Sequence, residues 1–557
     1  MPRYTVGVDV GSGSVRAAIV NVENGEILNE SISTNEIKTW HDRTDFYEQS
    51  SRNIWECTCN VVKAAVQKVQ KKNSNIQDEI VGIGFDATCS LVAVDLSGGT
   101  ASISLDGRPE TDIILWADHR ANSQAEHINS LNHNVLQYVG GIISPEMETP
   151  KLLWIKQNLP DLYNNSNIHF FDLADYLVYK STGQHDVRSE CTTICKWTYS
   201  SNAVRDQTNG WDSTYFSSLG LDLLLSQNRI GTRILPMGQP VGNGLTKQSA
   251  DAFNLRVNTP VAVSAIDAHA GGIGSVGASL PNVHGINVQD RIVIIAGTSS
   301  CHMAVSNAEV FVRGVWGPFY SAMIPGMWLS EGGQSAVGKL MDHVVQSHVY
   351  YPRLLEVSKN QNKHVFQLLN EKLDEMRGGG DVSLLSKSLH VLPYFHGNRS
   401  PLANPSCRGV ISGLTISHSI EDLALLYLAT IQAISYGTRH IIESINEARE
   451  KVGAEKVSRI IMCGGLSKNK LFVKMHSDVT QSTVYVPKES EAMIVGSAIL
   501  GAVAGGAYQS VSEAMSKMNS VGDVVTPSDE NIDYHRKKYL IYREMYEDHI
   551  KYERMMK

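Results

Sequence analysis

The stretch "VGVDVGSGSVRAAIV", residues 6–20, constrains the fold more than any other part of the chain. It places two glycines and two serines directly after an apolar strand that contains Asp9. This order matches the first half of the G-x-G-x-x-G dinucleotide fingerprint, but the third glycine is missing. A dinucleotide site also needs a helix N-terminus that faces the pyrophosphate, whereas residues 15–20 are rich in Val and Ile and soon reach the turn signal Glu23-Asn24-Gly25.

These residues predict a strand, a tight polar turn and a second strand, followed by a third strand over residues 26–33. Backbone N–H groups in such a turn can hold an anion. An ordinary hairpin without a ligand is the alternative that this stretch alone leaves open.

A second stretch, "RIVIIAGTSSCHMAVSNAE", repeats this design with an apolar strand, the turn Gly297-Thr298-Ser299-Ser300 and another apolar strand. A strand–turn–strand unit near the start of each half indicates two related lobes that close on one phosphate chain, and a chance resemblance of two hairpins is the alternative. At 557 residues the chain is too long for a single core. We therefore predict two large lobes, residues 1–275 and 276–557, with the boundary between Asp267 and Gln289.

Composition and charge exclude several classes of partner. The net charge of −8 arises from 49 basic and 57 acidic residues without long single-sign runs, which argues against nucleic acid as a partner. The eight cysteines are scattered, and neither Cys57 with Cys59 nor Cys191 with Cys195 is completed into a zinc pattern, so buried reduced thiols are favoured. No secretory leader pattern and no long apolar stretch is present, so we expect a soluble cytoplasmic protein that does not contact a membrane.

Strands alternate with helical stretches along the chain, which is the α/β pattern. A helical run over residues 55–72 leads to a predicted strand over residues 80–85. Two further strands are predicted over residues 113–116 and 260–266. Because ligands of α/β sheets bind at the carboxyl edge, the aspartates that follow these strands are candidate site residues. They are Asp86, Asp118 and Asp267. The alternatives are that Asp86 caps the following turn and that Asp118 pairs with Arg120.

The second half adds a candidate nucleotide site. An apolar strand ends in Gly464-Gly465, and Ser467 is the predicted N-cap of a helix that runs through Phe472 and Met475. A later helix, "SEAMIVGSAILGAVAGG", carries small residues that allow either close helix packing or a base against the backbone. These are Gly496, Ala498, Gly501, Ala502 and Gly505.

A long helix between these features is predicted to begin at a capping box formed by Ser419 and Asp422. One face of this helix is apolar, and we interpret it as core. Its members are Leu423, Tyr427, Ile431, Ile434, Ile441 and Ile445.

At this point the chain resembles the FGGY carbohydrate kinase family over nearly its full length. Besides the opening hairpin with Asp9, the blocks that carry the resemblance occur in the order of the family: "TDFYEQSSRNIW", "LWADHRA", "TPKLLWIKQN", "AIDAHAGGIG", "AGTSS", "PYFHGNRSPLANPSCRGVISGL" and "CGGLSKNKLF". Two features depart from the family signatures. Glu148 stands where the first signature has a small residue or proline, and the spacing after Gly413-Leu414 is longer than the second signature allows.

The resemblance implies a two-lobed actin-like, ribonuclease-H-like ATPase fold, with sugar mainly on the N-terminal lobe, ATP mainly on the C-terminal lobe and a hinge that closes the cleft. It implies transfer of a phosphoryl group from ATP to a sugar hydroxyl, with Asp267 as the base that accepts the hydroxyl proton and Asp9 on the Mg²⁺ side, through water. The residues implied for ATP and its phosphates are Gly11, Ser12, Gly13, Ser14, Gly297, Thr298, Ser299, Gly338, Gly464, Gly465 and Asn469.

The substrate expectation rests on the strand end "DATCSLV". Thr88-Cys89-Ser90 resembles the D-ribulose kinase branch of the family, as does Gln334 in "SEGGQSAVGKLMDH". The resemblance implies sugar contacts from Asp86, Thr88, Cys89, Ser90, Asp118 and Asp267. L-Ribulose, ribitol and D-xylulose are the alternative sugars, and a homodimer is left open. A non-catalytic lobe-moving regulator and a nicotinamide-dependent dehydrogenase are the alternatives from other classes.

Overall fold

The computed structural model of the protein describes residues 3–200 and 210–556. The strands are β1 Tyr4–Val10, β2 Ser14–Asn21, β3 Ser33–Glu36, β4 Thr39–Trp40, β5 Glu48–Gln49, β6 Ile80–Ala87, β7 Leu91–Asp95, β8 Ile113–Ile114, β9 Ile168–Asp172, β10 Val187–Ser189, β11 Arg233–Leu235, β12 Ala265–Ile266, β13 Arg291–Ala296, β14 Ser300–Ser306, β15 Trp316–Tyr320, β16 Trp328–Gln334, β17 His390–Leu392, β18 Val410–Ser412, β19 Arg459–Cys463, β20 Thr483–Pro487 and β21 Val521–Val525.

The α-helices alternate with these strands along the chain. They are α1 Ser51–Gln70, α2 Ile76–Glu79, α3 Asn122–Ser130, α4 Glu148–Asn158, α5 Pro160–Asn164, α6 Leu173–Thr182, α7 Glu190–Lys196, α8 Ser213–Ser218, α9 Asp222–Ser226, α10 Lys247–Phe253, α11 Asp267–Ile273, α12 Gly338–Gln346, α13 Tyr351–Gln361, α14 Val365–Met376, α15 Ile420–Lys451, α16 Lys470–Thr480, α17 Ala492–Ala504, α18 Val511–Met518 and α19 Ile532–Met555.

The N-terminal lobe is built on a five-stranded sheet in the order β12-β6-β1-β2-β3. Strands β1 and β2 form the predicted antiparallel hairpin, and β6 lies parallel to β1 on its other side. Helix α1 packs its buried stripe, which includes Ile54, Val61 and Val69, against this sheet. The helix begins at Ser51, four residues before the predicted start, because the side chain of Ser50 accepts a hydrogen bond from the backbone N–H of Asn53 at 3.4 Å.

The C-terminal lobe repeats this arrangement in a seven-stranded sheet, in the order β15-β16-β14-β13-β19-β20-β21. Strands β13 and β14 form an antiparallel hairpin, and β19 lies parallel to β13. The repeated unit predicted from the sequence is therefore confirmed at the level of sheet topology. Helix α15 covers this lobe, its N-cap is Ser419 as predicted, and all six residues of its predicted apolar face are buried.

Three strand predictions need correction. The third strand is β3 at residues 33–36, not 26–33, because Asn29–Ser31 form a 3₁₀ turn in which the Ser31 hydroxyl accepts the N–H of Ile19. The strand predicted over 260–266 is regular only in β12, with single bridges at Val261 and Ala262. The strand predicted over 113–116 is the two-residue β8, which lies in a separate sheet of order β4-β5-β8-β7-β9.

Helix α17 belongs to the C-terminal half of the chain but packs on the N-terminal sheet, against β1 and β6. The approach is so close that a Cβ atom on Gly84 would lie 1.9 Å from the backbone oxygen of Ser497. A Cβ atom on Gly496 of the helix would lie 1.8 Å from the backbone oxygen of Ala270 in α11. Of the two interpretations of these small residues, the structure therefore favours close packing.

All eight cysteines are free thiols. Within the parts of the chain that the structure describes, no helix combines the length and the apolar character needed to cross a membrane.

Candidate active site

Three carboxylates meet at the carboxyl edge of the N-terminal sheet. In the parallel pairing of β1 with β6, Asp9 lies opposite Asp86. Strand β12 pairs with β6 so that Ala265 lies opposite Asp86, and Asp267 follows this strand directly. The structure thus brings together two of the three predicted strand-end aspartates and adds Asp9 from the opening hairpin.

Asp118 does not join this group. Its buried carboxylate lies in the turn after β8 of the other sheet, where it accepts hydrogen bonds from the guanidinium of Arg120 at 2.7 Å and from the backbone N–H of Tyr47 at 2.7 Å. Both of its oxygens are occupied by such donors. The structure shows the pairing of Asp118 with Arg120, and the contact of Asp118 with sugar stays a prediction.

Asp86 is fully buried, and neither of its carboxylate oxygens has a hydrogen-bond partner among the described residues. Burial raises the pKa of Asp86 well above its usual value, and the charges of Asp9 and Asp267 act in the same direction. Burial also raises the pKa of Asp9, against the opposing effect of Arg16. Carboxylates packed in this way need a shared proton or a cation to balance their charge.

These residues fit the Mg²⁺ ion that the resemblance implies. No group of three or more His, Cys, Asp or Glu side chains within residues 3–200 and 210–556 forms a complete metal cage. Mg²⁺ in phosphoryl-transfer sites is usually held by only one or two carboxylates together with water and phosphate oxygens. The carboxylate of Asp9 and the two unpartnered oxygens of Asp86 supply such a donor set.

Arg16 is a site residue that the sequence reasoning missed. It lies opposite Asp9 in the hairpin and forms ion pairs with Asp9 and with Glu491, which directly precedes α17. Its side chain is 29% exposed, so the guanidinium is accessible to a further anion. This pairing could have been predicted from the sequence, because a hairpin that turns at residues 11–13 places residue 16 opposite residue 9.

Asp267 is the first residue of α11 and is half-buried. The backbone N–H of Ala268 donates to its Oδ1 at 2.7 Å. Burial raises the pKa of Asp267 to about 6, and the charge of Asp9 adds to this shift, while the hydrogen bond from Ala268 opposes it. A carboxyl with this pKa is ionised at neutral pH and is more basic than an ordinary aspartate, which suits a group that accepts a proton.

Each glycine turn is closed by a hydrogen bond from the N–H of its first glycine, and the second turn is one residue shorter than the first. In the first, the N–H of Gly11 donates to the backbone oxygen of Ser14 at 3.0 Å. In the second, the N–H of Gly297 donates to the backbone oxygen of Ser299 at 2.9 Å. Gly338, at the start of α12, donates its N–H to the backbone oxygen of Gly297 at 3.0 Å. This bond anchors the helix start to the second turn.

The loop after β19 lies against the end of β13. Gly464 has a φ of +89°, and a Cβ atom there would lie 2.6 Å from the backbone oxygen of Ala296, so both the turn and the close approach require glycine. Gly465 faces open space. The next residues form a short 3₁₀ helix, Gly465–Lys468, before α16 begins.

The prediction that Ser467 caps α16 is wrong. Ser467 lies within the 3₁₀ helix, where its hydroxyl donates to the backbone oxygen of Gly464 at 2.7 Å. The cap is Asn469, which accepts the N–H of Phe472 at 3.3 Å and donates to the hydroxyl of Tyr427 at 2.8 Å. The described contacts of Asn469 are those of a helix cap, and its contact with ATP stays a prediction.

Of the three residues predicted to read the sugar at the end of β6, only Cys89 is partly exposed. The hydroxyls of Thr88 and Ser90 lie 3.2 Å apart, and that of Ser90 also accepts the N–H of Trp116 at 3.3 Å. Cys89 is a neutral thiol, because burial raises its pKa strongly against the effect of Lys196. Gln334 lies elsewhere, donating to the backbone oxygen of Ile434 at 3.0 Å.

A charged cluster that no local sequence pattern indicated faces the carboxylates. The ring of Trp316 in β15 contacts two cations: the Nζ of Lys196 lies 4.4 Å from its centroid and the guanidinium of Arg399 lies 4.2 Å from it. Arg399 donates to Oε1 of Glu331 at 2.7 Å. Although burial opposes ionisation, Lys196, His269 and Arg399 hold the pKa of Glu331 below its usual value. These residues come from distant parts of the chain and meet only in the fold.

Glu148, the residue that departs from the first family signature, is fully buried at the start of α4. Its Oε1 lies 3.5 Å from the Nζ of Lys151. Burial raises the pKa of Glu148 to about 7, against the charge of Lys151.

Solved structures share this two-lobed arrangement. A xylulose kinase from Brucella ovis superposes with a TM-score of 0.76 at 17% sequence identity, covering 98% of this chain and 99% of that one. At this identity the likeness shows the fold alone, which is the two-domain actin-like fold of sugar kinases.

Family models match both halves of the chain. The N-terminal domain of the FGGY family of carbohydrate kinases matches residues 4–274, and its C-terminal domain matches residues 292–505. The chain therefore belongs to the FGGY family of carbohydrate kinases, which confirms the resemblance and leaves the nicotinamide-dependent dehydrogenase without support. The lobe boundary at residue 275 stays a prediction.

The chain is similar in sequence over most of its length to two curated proteins of this kind. An FGGY carbohydrate kinase domain-containing protein from Xenopus laevis is 45% identical over 559 residues, covering 99% of this chain and 98% of its own. The D-ribulokinase of Saccharomyces cerevisiae is 36% identical over 529 residues, covering 90% of this chain and 72% of its own.

Proposed function

We propose that the protein transfers the γ-phosphoryl group of ATP to the terminal hydroxyl of D-ribulose and releases ADP and D-ribulose 5-phosphate. The observation that carries the chemistry is the position of Asp267, a half-buried carboxyl with a raised pKa at the edge where Asp9 and Asp86 also end. The choice of sugar is supported by the 36% identity with a D-ribulokinase and by Thr88-Cys89-Ser90 at the end of β6.

In this mechanism the Asp267 carboxylate accepts the proton of the attacking hydroxyl as the new P–O bond forms. Phosphoryl transfer requires little covalent chemistry from the protein beyond an in-line hydroxyl, a base and positive charge around the γ-phosphate. Arg16 supplies such a charge beside the first glycine turn, and the backbone N–H groups of the two turns supply donors. When bound by Asp9 and Asp86, Mg²⁺ would neutralise phosphate charge.

The sugar would lie between the end of β6 and the charged cluster of Lys196, Glu331 and Arg399. Cys89 is the partly exposed side chain of its strand end and is small, which leaves space for a five-carbon ketose. Lys196 donates and Glu331 accepts, so the pair can hold neighbouring hydroxyls of one sugar. A buried polar group that finds no hydroxyl costs about 1–3 kcal/mol, or roughly 5–150-fold in specificity.

The test is an assay for ADP release with ATP, Mg²⁺ and a panel of D-ribulose, L-ribulose, ribitol, D-xylulose and glycerol. We expect the highest kcat/KM with D-ribulose, weaker turnover of L-ribulose and ribitol, and poor turnover of D-xylulose and glycerol. A higher kcat/KM for D-xylulose or glycerol would overturn the choice of sugar. ADP release that no sugar stimulates would instead favour the non-catalytic lobe-moving alternative over a sugar kinase.

A further inference from the structure

Next to Asp267 lies a buried cysteine–histidine pair that the proposed mechanism does not use. Cys191 of α7 and His269 of α11 are both completely buried. The Sγ atom of Cys191 lies 2.9 Å from Nδ1 of His269. The same sulfur accepts the backbone N–H of Ile266 at 3.4 Å. Cys191 therefore contacts the residue before Asp267 and the residue two positions after it.

The partners of His269 define its protonation state. Its Nε2 lies 3.2 Å from Oε2 of Glu331, and its Nδ1 lies 3.1 Å from the backbone oxygen of Ala322. Both oxygens can only accept hydrogen bonds, which favours a proton on each ring nitrogen, and the proton on Nδ1 is then shared between the carbonyl of Ala322 and the sulfur of Cys191. A histidine that donates from both nitrogens is an imidazolium cation.

The environment of Cys191 is that of an anion. Its sulfur faces the imidazolium of His269 and the N–H of Ile266. Although burial opposes ionisation, the thiol of Cys195 and the charge of His269 lower the pKa of Cys191, and Cys191 and Glu331 raise that of His269. A thiolate beside an imidazolium is a known stable arrangement in proteins.

We infer that Cys191 is held as a thiolate in an ion pair with His269, and that this pair is a positioning device for Asp267. The inference rests on the proposed function, because it assigns the pair a role through Asp267. The thiolate fixes the Ile266 peptide that leads into Asp267, and His269 ties the first turn of α11 to Glu331 on β16. Neither side chain contacts the reacting atoms, so both are positioning residues.

Charged and titratable groups surround the pair on every side. Cys195 lies one turn further along α7, with its sulfur 3.9 Å from Nδ1 of His269. Glu331 faces the other ring nitrogen and is itself paired with Arg399. Lys196 adds a further positive charge near Glu331. Asp267, two residues before His269, adds a further negative charge. With the three anions Cys191, Glu331 and Asp267 and the three cations His269, Lys196 and Arg399, charge in this region is distributed rather than isolated.

The test begins with the thiolate itself. The ultraviolet absorbance of thiolate in the intact protein should be present at neutral pH and should disappear on acidification. It should be lost in Cys191→Ala and strongly reduced in His269→Gln, which removes the cation. It should persist in Cys195→Ser, whose hydroxyl still donates. Absence of the thiolate signal in the wild-type protein would overturn the inference whatever the variants do.

The second readout separates positioning from binding. We expect Cys191→Ala to lower kcat by about 10–100-fold, because misplacing a reacting group by about an ångström has effects of this size. KM for sugar and ATP should stay within about threefold, since the variant leaves their contacts in place. Cys191→Ser, which keeps an acceptor for the Ile266 N–H without the charge, should give an intermediate kcat.

Cys57→Ala is the matched control, because Cys57 is also a buried helical cysteine with a hydrogen bond to backbone, 3.4 Å from the oxygen of Glu36, but lies in α1. We expect it to keep its kcat and the thiolate signal. An unchanged kcat in Cys191→Ala would overturn the positioning role. A failure of the proposed function can be told apart from a failure of this inference. If the proposed function is wrong, Asp267→Asn remains active, while the thiolate absorbance is still observed.

Discussion

The two glycine turns have the same topology but different chemistry. In the N-terminal lobe, two residues before the turn, Asp9 lies opposite Asp86 on the neighbouring parallel strand. At the equivalent place in the C-terminal lobe, Ile295 lies opposite Cys463. Burial raises the pKa of Cys463 to about 12, so this side carries no charge at neutral pH. The comparison teaches that the two lobes share one backbone frame, while the side chains at these two positions give carboxylates to the N-terminal lobe alone.

The largest expected effect is that of the base. Asp267→Asn keeps the size and hydrogen bonding of the side chain but cannot accept a proton, so kcat should fall by about 10²–10⁴-fold. Binding of ATP and sugar, measured by calorimetry, should persist. Turnover close to that of the wild type would remove Asp267 from this role and leave the charged lobe without its assigned base.

Substitutions at the two equivalent positions, Asp9 and Ile295, test whether the two turns differ in their role. Asp9→Asn should lower kcat by about 10²–10³-fold, because it removes a preorganised charge beside the phosphates. Ile295→Val, its counterpart in the other lobe, should leave kcat within about twofold and cost about 1 kcal/mol of stability. Steady-state kinetics and thermal unfolding of both variants measure these effects. If both variants lost kcat equally, the charge difference between the two turns would not determine their role.

The second turn can be tested by adding bulk. A Cβ atom on Gly297 would have no neighbour closer than 3.9 Å, so the fold has space for a side chain there. Gly297→Val should nevertheless raise the Kd for ATP by roughly tenfold or more, because a side chain would prevent the phosphates from approaching the backbone. Circular dichroism checks the fold, and the Kd for sugar serves as the control. Unchanged ATP affinity in a folded variant would make the second hairpin purely structural.

The smallest effect concerns pH. The pKa of Asp267 is raised to about 6, and a base must be deprotonated to act, so kcat/KM should rise with pH through about 6 and reach a plateau above it. At pH 6 the activity should be about half of the plateau value, and it should fall by about tenfold for each further unit of acidification. The residual activity of Asp267→Asn should not show this dependence on pH. If kcat/KM of that variant still rose with pH through about 6, the titration would belong to another group.

Much of the frame was predictable from sequence, because it follows from local patterns. The alternation of apolar residues with Gly-Ser turns predicted both hairpins, and the Ser419 capping box with its apolar stripe predicted α15. Boundaries failed where a side chain competed with the strand or helix pattern. Ser31 closed a 3₁₀ turn inside a predicted strand, and Asn469 rather than Ser467 capped α16.

The site was only partly predictable, for a different reason. Asp9, Asp86 and Asp267 follow from strand ends, since parallel strands bring their carboxyl ends to one edge. Asp118 looked equivalent in sequence but follows a strand of another sheet, and no local pattern distinguishes the two cases. Lys196, Glu331 and Arg399 meet only after three distant segments pack together, so sequence spacing carries no signal for them.

The backbone-to-backbone packing of α17 has a consequence for how the chain can be divided. By sequence this helix falls in the C-terminal family domain, yet it rests on the glycine-lined face of the N-terminal sheet. A fragment that stopped at the predicted lobe boundary would thus lack the helix that closes its own sheet, and a premature stop before residue 492 would damage both halves of the molecule at once. The two lobes therefore share a design but are not independent modules, because the first lobe depends on a helix, α17, that is synthesised late in the chain.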